Sequence, residues 1–183
     1  DRWFNVRLTE TLAEARGSGK EAVLIFMDLD RFKIINDHHG HLAGSQVLRE
    51  VGFLLKRIVQ RGDATVARYG GDEFVMILPE TGVEQGLAIC EEIRRSVAAT
   101  TFLEREWGFS MPPLQLRGIL SASIGLAHYV PDGSSTLPVE QEKSELLKRA
   151  DAAMYRAKSL GKNRVVVYRA GEDIRAGLTE AAG

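Results

Sequence analysis

Apolar positions near the start of the chain recur at helical spacing. Trp3, Phe4, Leu8 and Leu12 fall on one face of a helix that the Gly17-Ser18-Gly19 break should end. The pattern then changes: residues 22–27 are apolar without interruption and rich in Val, Ile and Phe. That is the pattern of a strand buried on both faces, and it stops at the charged Asp28-Leu29-Asp30. Val47, Leu48, Val51, Leu54, Leu55 and Ile58 return to steps of three and four and predict an amphipathic helix over about residues 42–60. Two β-rich runs, residues 65–69 and 73–78, flank Gly70-Gly71-Asp72, a turn of the length that closes a tight hairpin. Leu87, Cys90, Ile93 and Val97 predict another helix, and residues 116–128 a long strand. Leu147, Ala150, Met154 and Ala157 mark a last helix that Gly161 should stop, before a final strand over residues 165–168. This order fits a mostly antiparallel central sheet flanked by helices, an α+β domain, better than a doubly wound parallel sheet. Residues 101–118 and 129–143 carry no motif, and Trp107, Phe109 and Met111 are read as core packing.

Composition narrows the function more than the fold. The 183 residues are 44% hydrophobic and 27% charged, as expected of one ordinary globular domain with a sizeable core. Lys and Arg number 24 against 25 Asp and Glu, a net charge of −1. No bulk basicity therefore points to nucleic acid or an anionic membrane, and an anionic ligand has to be held by a local site. No apolar run approaches the roughly 18 residues of a membrane span, and no signal peptide opens the chain, so a cytoplasmic location without direct membrane contact is expected. Cys90 cannot form an internal disulfide and reads as a small buried residue. The Gly- and Ala-rich residues 171–183 read as a flexible tail or the start of a linker after a domain of residues 1–170.

Candidate chemistry sits at two places. Asp28 closes the buried strand, where a carboxylate is costly unless it is hydrogen-bonded or holds a cation. Asp72-Glu73 lies at the hairpin tip, where Gly70 and Gly71 let a ligand approach the backbone closely. If the two strands are neighbours, Asp28 and Asp72 converge, and two carboxylates with a backbone carbonyl make the hard oxygen site that Mg²⁺ prefers. On spacing alone the alternative stays open that the first is a strand-end charge and the second a good turn.

Arg68-Tyr69-Gly70-Gly71-Asp72-Glu73-Phe74 resembles the signature of the GGDEF family of nucleotide cyclases. Met27-Asp28-Leu29-Asp30-Arg31-Phe32-Lys33, running to Asn36-Asp37 and Gly40-His41, resembles the family's other hallmark. Ala150-Asp151-Ala152-Ala153-Met154-Tyr155, followed by Ala157-Lys158 and Gly161-Lys162-Asn163-Arg164, resembles its closing helix. The resemblance implies a fold like the palm of nucleotide polymerases and adenylyl cyclases. It also implies condensation of two nucleoside triphosphates into a cyclic dinucleotide by a homodimer in which each subunit holds one triphosphate. By the same resemblance Asp28, the Leu29 carbonyl and Asp72 hold two Mg²⁺ (or Mn²⁺) ions per half-site, and Asp72, before Glu73, favours loss of the 3′-hydroxyl proton. The backbone amides around Arg31, Phe32 and Lys33 and the side chains of Lys158 and Lys162 hold phosphates, while Asn36, His41 and the residue at position 45 face the base.

Three departures qualify the resemblance. Ser45 stands where typical diguanylate cyclases carry an Asp that reads guanine. A carboxylate only accepts hydrogen bonds, whereas a hydroxyl donates or accepts, so the change weakens discrimination against adenine by about 1–3 kcal/mol. It also resembles the hybrid promiscuous cyclases, and the expectation is cyclic GMP-AMP from GTP and ATP, with cyclic di-GMP and cyclic di-AMP as side products. The alternatives are a strict diguanylate cyclase and an inactive GTP-binding regulator or cyclic-dinucleotide receptor. The family's Arg-x-x-Asp product site reads Arg61-Gly62-Asp63-Ala64 here, with Asp63 one residue early, which makes it a degenerate inhibitory site. The family's opening Asp-x-Leu-Thr segment does not precede Asp1, so a catalytic domain cut from a larger protein with an upstream sensor and stalk is expected.

Overall fold

The computed structural model describes residues 2–60, 63–108 and 110–169. Helix α1 (Arg2–Ser18) leads into β1 (Ala22–Asp30), α2 (Phe32–Ile58), a hairpin of β2 (Thr65–Gly70) and β3 (Glu73–Pro79), and α3 (Val83–Ala99). Two short strands, β4 (Thr101–Phe102) and β5 (Leu116–Arg117), precede β6 (Ser121–Tyr129), α4 (Val139–Ser159) and β7 (Arg164–Val167). The main sheet has the order β2-β3-β1-β6-β7, antiparallel throughout except for the parallel β6–β7 pair. It is the mostly antiparallel α+β arrangement expected from the apolar pattern.

Strand β1 occupies the centre and is buried along all nine residues. Its side chains alternate between two helix layers. Val23, Ile25, Met27 and Leu29 pack with α2 and α3, and Ala22, Leu24 and Phe26 pack with α1 and α4. Each such fully buried side chain larger than alanine is worth about 1.5–3 kcal/mol. The row that faces α1 and α4 does not end apolar: its next two members are Asp28 and Asp30, both buried. Helix α4 can lie close above them because β6 carries Gly125, where a Cβ would strike the α4 backbone at Ala150 and Met154.

The structure departs from the sequence reading in three places. The helix expected from about residue 42 begins at Phe32 and is broken at Gly40 (φ 80°, ψ 166°). Its first two turns bury only Phe32 and Ile35, too few to show a periodicity. The strand expected over residues 116–128 is divided at Gly118 (φ 69°), so that β5 pairs with β4 in a separate two-stranded sheet. Strand β4 is two residues long, below the length at which alternation can be recognised. Trp107 is buried in the α2/α3 core as expected, Met111 is exposed, and Phe109 lies outside the described residues. Cys90 is fully buried, which pushes its thiol well above the usual range.

Helix α1 is fastened to α4 by a polar cluster around Glu142. Its carboxylate pairs with Arg16 at 2.8 Å and accepts hydrogen bonds from Tyr129 Oη (2.8 Å) and Ser135 Oγ (3.1 Å). Burial alone would raise this carboxyl, but the bonds from Tyr129, Arg16 and Ser135 outweigh it and hold it below its ordinary 4.5. Because the folded value is depressed, this stabilisation is present above pH 4.5 and is lost as the pH falls through the lower folded value. Glu142→Gln should lower Tm by about 2–6 °C at pH 7. In thermal melts across pH the gap to the parent chain should close below pH 4.5; a gap independent of pH would remove the ionic contribution.

Candidate functional site

The buried row of β1 produces the first half of the site. Asp28 stands directly opposite Glu73 in the β1–β3 register, and both point toward α4. Two like charges at a buried cross-strand position require a cation, and α4 supplies it: Lys158 Nζ lies 2.6 Å from Asp28 Oδ2. Burial holds the Asp28 carboxyl above the usual carboxylate range, opposed by the hydrogen bond and charge of Lys158 and reinforced by Asp72 and Asp30. Glu73 is raised by burial and then by Asp28 and Asp151, and Asp151 by burial against the pull of Lys158. One ammonium therefore serves a cluster of carboxylates, an excess of negative charge suited to a further cation.

The hairpin brings its turn to the same place. The Leu29 amide donates to the Asp72 carbonyl at 3.2 Å, and in an extended strand the Leu29 carbonyl faces the same edge as its amide. Arg68 Nε donates to the Gly71 carbonyl at 2.8 Å, and Gly71 takes φ 44° with open space where a Cβ would be. The donors at this spot are thus two carboxylates and a carbonyl. Among the described residues no group of three or more His, Cys, Asp or Glu converges to hold a metal alone. That set fits Mg²⁺, which takes one or two carboxylates and completes its octahedron with water and phosphate oxygens.

The second half is a pocket of about 310 Å³ lined by Phe32, Lys33, Asn36, His41, Ser45, Leu48, Arg68, Gly71 and Asp72. It unites the three base-facing residues expected from the sequence with the hairpin tip. The break at Gly40 makes this possible. Asn36 and Ser45 are nine positions apart, about two and a half turns, so a straight helix would set them on opposite faces. Gly44 is a residue the sequence reading missed: the Asn36 side chain and the Phe32 ring occupy the space a Cβ would take. Its signal was a glycine inside a helix, where it costs about 1 kcal/mol relative to Ala and needs a reason.

The residues expected to hold phosphate divide between two places. Helix α2 begins at Phe32 after Arg31 in the left-handed region (φ 66°), with no side chain capping it, which leaves first-turn amides free for an anion. Arg31 and Lys162 line a second pocket of about 350 Å³ beyond β1, while Lys158 is engaged with Asp28. Of the degenerate inhibitory stretch, Asp63 is exposed and Ala64 packs against the core; Arg61 lies outside the described residues.

Two substitutions test these assignments. Lys158→Met leaves Asp28 buried and unpaired, and should cost about 1–2 kcal/mol, below the range for fully buried pairs because Lys158 is 34% exposed. Added Mg²⁺ should recover more Tm in this variant than in the parent; equal recovery would remove Asp28 from the cation site. Gly44→Ala displaces Asn36 and should weaken binding of a purine nucleotide about tenfold by calorimetry, with a Tm change of only a few degrees. Unchanged affinity would exclude Asn36 as a base contact.

Known proteins share this fold. The family model "Diguanylate cyclase, GGDEF domain" matches residues 2–164. Diguanylate cyclase VdcA of Vibrio cholerae is 35% identical over 149 residues, covering 81% of this chain and 40% of that protein. Diguanylate cyclase DgcP of Pseudomonas aeruginosa is 34% identical over 88% of this chain and 21% of its own length. The chain thus spans less than half of either relative. The GGDEF domain of DgcB from Caulobacter crescentus, solved in complex with c-di-GMP, superposes with a TM-score of 0.73 at 31% identity, covering 90% of this chain and 88% of that one. The active GGEEF domain of a Vibrio cholerae diguanylate cyclase gives 0.76 at 27% identity, covering 92% and 96%. With the match running from the first helix to the last strand, the chain belongs to the GGDEF family of diguanylate cyclase domains.

Proposed function

We propose that the chain condenses two GTP molecules into cyclic di-GMP with release of two pyrophosphates. The observation that carries this reading is the pocket in which Asn36 and Ser45 share walls with Asp72 and the hairpin tip, beside the Asp28–Glu73 pair. The base lies between α2 and the hairpin, with its Watson–Crick edge toward Asn36 and Ser45. The free amides of Phe32 and Lys33 and the ammonium of Lys162 hold the terminal phosphates. Asp28, the Leu29 carbonyl and Asp72 would hold Mg²⁺, which when bound would neutralise phosphate charge and polarise the attacked phosphorus. Asp72 or Glu73 accepts the 3′-hydroxyl proton, and the raised Glu73 carboxyl suits that task. The two nucleotides meet across two copies of the chain, each holding one in its base pocket, which positions the 3′-hydroxyl of one in line with the α-phosphate of the other.

Ser45 carries a second reading. Its hydroxyl lines the pocket and is compatible with either purine, so ATP enters beside GTP and cyclic GMP-AMP forms with the two symmetric products. The names of the relatives favour the first reading.

Purified protein given Mg²⁺ with GTP, ATP or an equal mixture, its products identified by mass, separates the readings. Cyclic di-GMP from GTP, and alone from the mixture, supports the first. Cyclic GMP-AMP from the mixture, reverting to cyclic di-GMP in Ser45→Asp, supports the second. GTP binding without any cyclic product at high protein concentration would make the domain a receptor.

A further inference from the structure

Asp30 neighbours Asp28 and is 2% exposed, yet the reaction described above gives it no part. Both oxygens of its carboxylate accept hydrogen bonds. Ser123 Oγ donates to Oδ1 at 2.7 Å, and Ser121 Oγ (2.7 Å) and the Asn163 amide (3.0 Å) both donate to Oδ2. The two serines come from β6, the neighbour of β1. The amide comes from the segment that follows α4, at the far end of the chain.

That segment is conformationally costly. Gly161, Lys162 and Asn163 have φ of 109°, 64° and 45°, three consecutive residues in the left-handed region. Gly161 ends α4 in the usual way, with the Lys162 amide reaching back to the Ala157 carbonyl at 3.0 Å. Lys162 has no such licence and is strained there, while Asn163 tolerates the region better than most residues. Arg31, the residue after Asp30, is also left-handed at φ 66°. Arg31 and Lys162 line the same pocket, and among the described residues neither side chain has a hydrogen-bonding or ionic partner.

We propose that Asp30 is a positioning residue for the triphosphate end of the site. By tying the Asn163 amide to the end of β1, its carboxylate holds Lys162 and Arg31 on two separate elements at one pocket mouth, in backbone conformations neither would keep alone. This inference rests on the nucleotide reading above. It separates the phosphate end, which depends on Asp30, from the base pocket across β1, which does not.

The test compares GTP with GMP by calorimetry in the presence of Mg²⁺, on the parent chain, Asp30→Ala and Asp30→Asn. Alanine strands the Asn163 amide and both hydroxyls. Asparagine can still accept from the amide and Ser121 with its oxygen and donate to Ser123 with its nitrogen. Asp30→Ala should weaken GTP at least about tenfold while GMP stays within about twofold, and Asp30→Asn should restore most of the GTP affinity. Equal losses for GTP and GMP would make Asp30 a general structural residue and overturn the proposal, as would no loss at all. If Asp30→Ala does not fold, Ser123→Ala removes one of the three donors at a position away from the pocket. A loss of about threefold confined to GTP is then expected, and an equal loss or none overturns the proposal. A parent chain that binds neither nucleotide would overturn both the nucleotide reading and the role of Asp30, whereas binding by the parent without a selective loss in the variants overturns Asp30 alone.

Discussion

Two carboxylates at the end of a fully buried central strand have to be compensated, and the end of α4 with the segment that follows it compensates both. Lys158 meets Asp28 as a counter-charge, and the Asn163 amide meets Asp30 as a hydrogen-bond donor. An unpaired buried carboxylate costs several kcal/mol, comparable to the apolar gain from two or three of the buried side chains before it in β1. The position of α4 is therefore as much an electrostatic requirement as a packing one. Gly125 supplies the steric half of the same requirement by letting the α4 backbone lie against β6.

This arrangement also explains why the charges are arranged with an excess of acid. Among the described residues Lys158 answers Asp28, Glu73 and Asp151, and burial leaves Asp28 and Glu73 above their ordinary ranges. A surface ion-pair network would spread such charges apart, since it has little to gain from crowding them. A site that receives a cation together with an anionic ligand benefits from the opposite design, because the charge excess is discharged on binding.

Much of this was legible in the sequence because the chemistry lies at element ends that the apolar pattern marks. The run of residues 22–27 stops at Asp28, and Gly70-Gly71-Asp72 announces the hairpin, so the meeting of the two needed only the assumption that the strands pair. Gly161 marked the end of α4 for the same reason. The break at Gly40 was not legible: the segment before it buries two residues in two turns, and periodicity analysis needs more. Gly44 and Gly125 matter through what their missing side chains admit, which a pattern of apolar and polar positions does not encode. Asp30 was visible as a charge but not as a ligand of three donors, because those donors come from residues 91 to 133 positions away.

The broken helix has an implication for how base preference can drift among such domains. Asn36 precedes the break and Ser45 follows it, so the two residues proposed to face the base sit on separately oriented segments of α2. Their spacing is set by an angle at Gly40 and by the packing of Asn36 and Phe32 over Gly44. In the proposed base pocket, variation that reorients either segment changes which purine edge the pair can meet without altering either side chain. Under the proposed reading, purine choice is a property of helix geometry as well as of side-chain identity, and it is open to selection at positions that a comparison of contact residues alone would pass over.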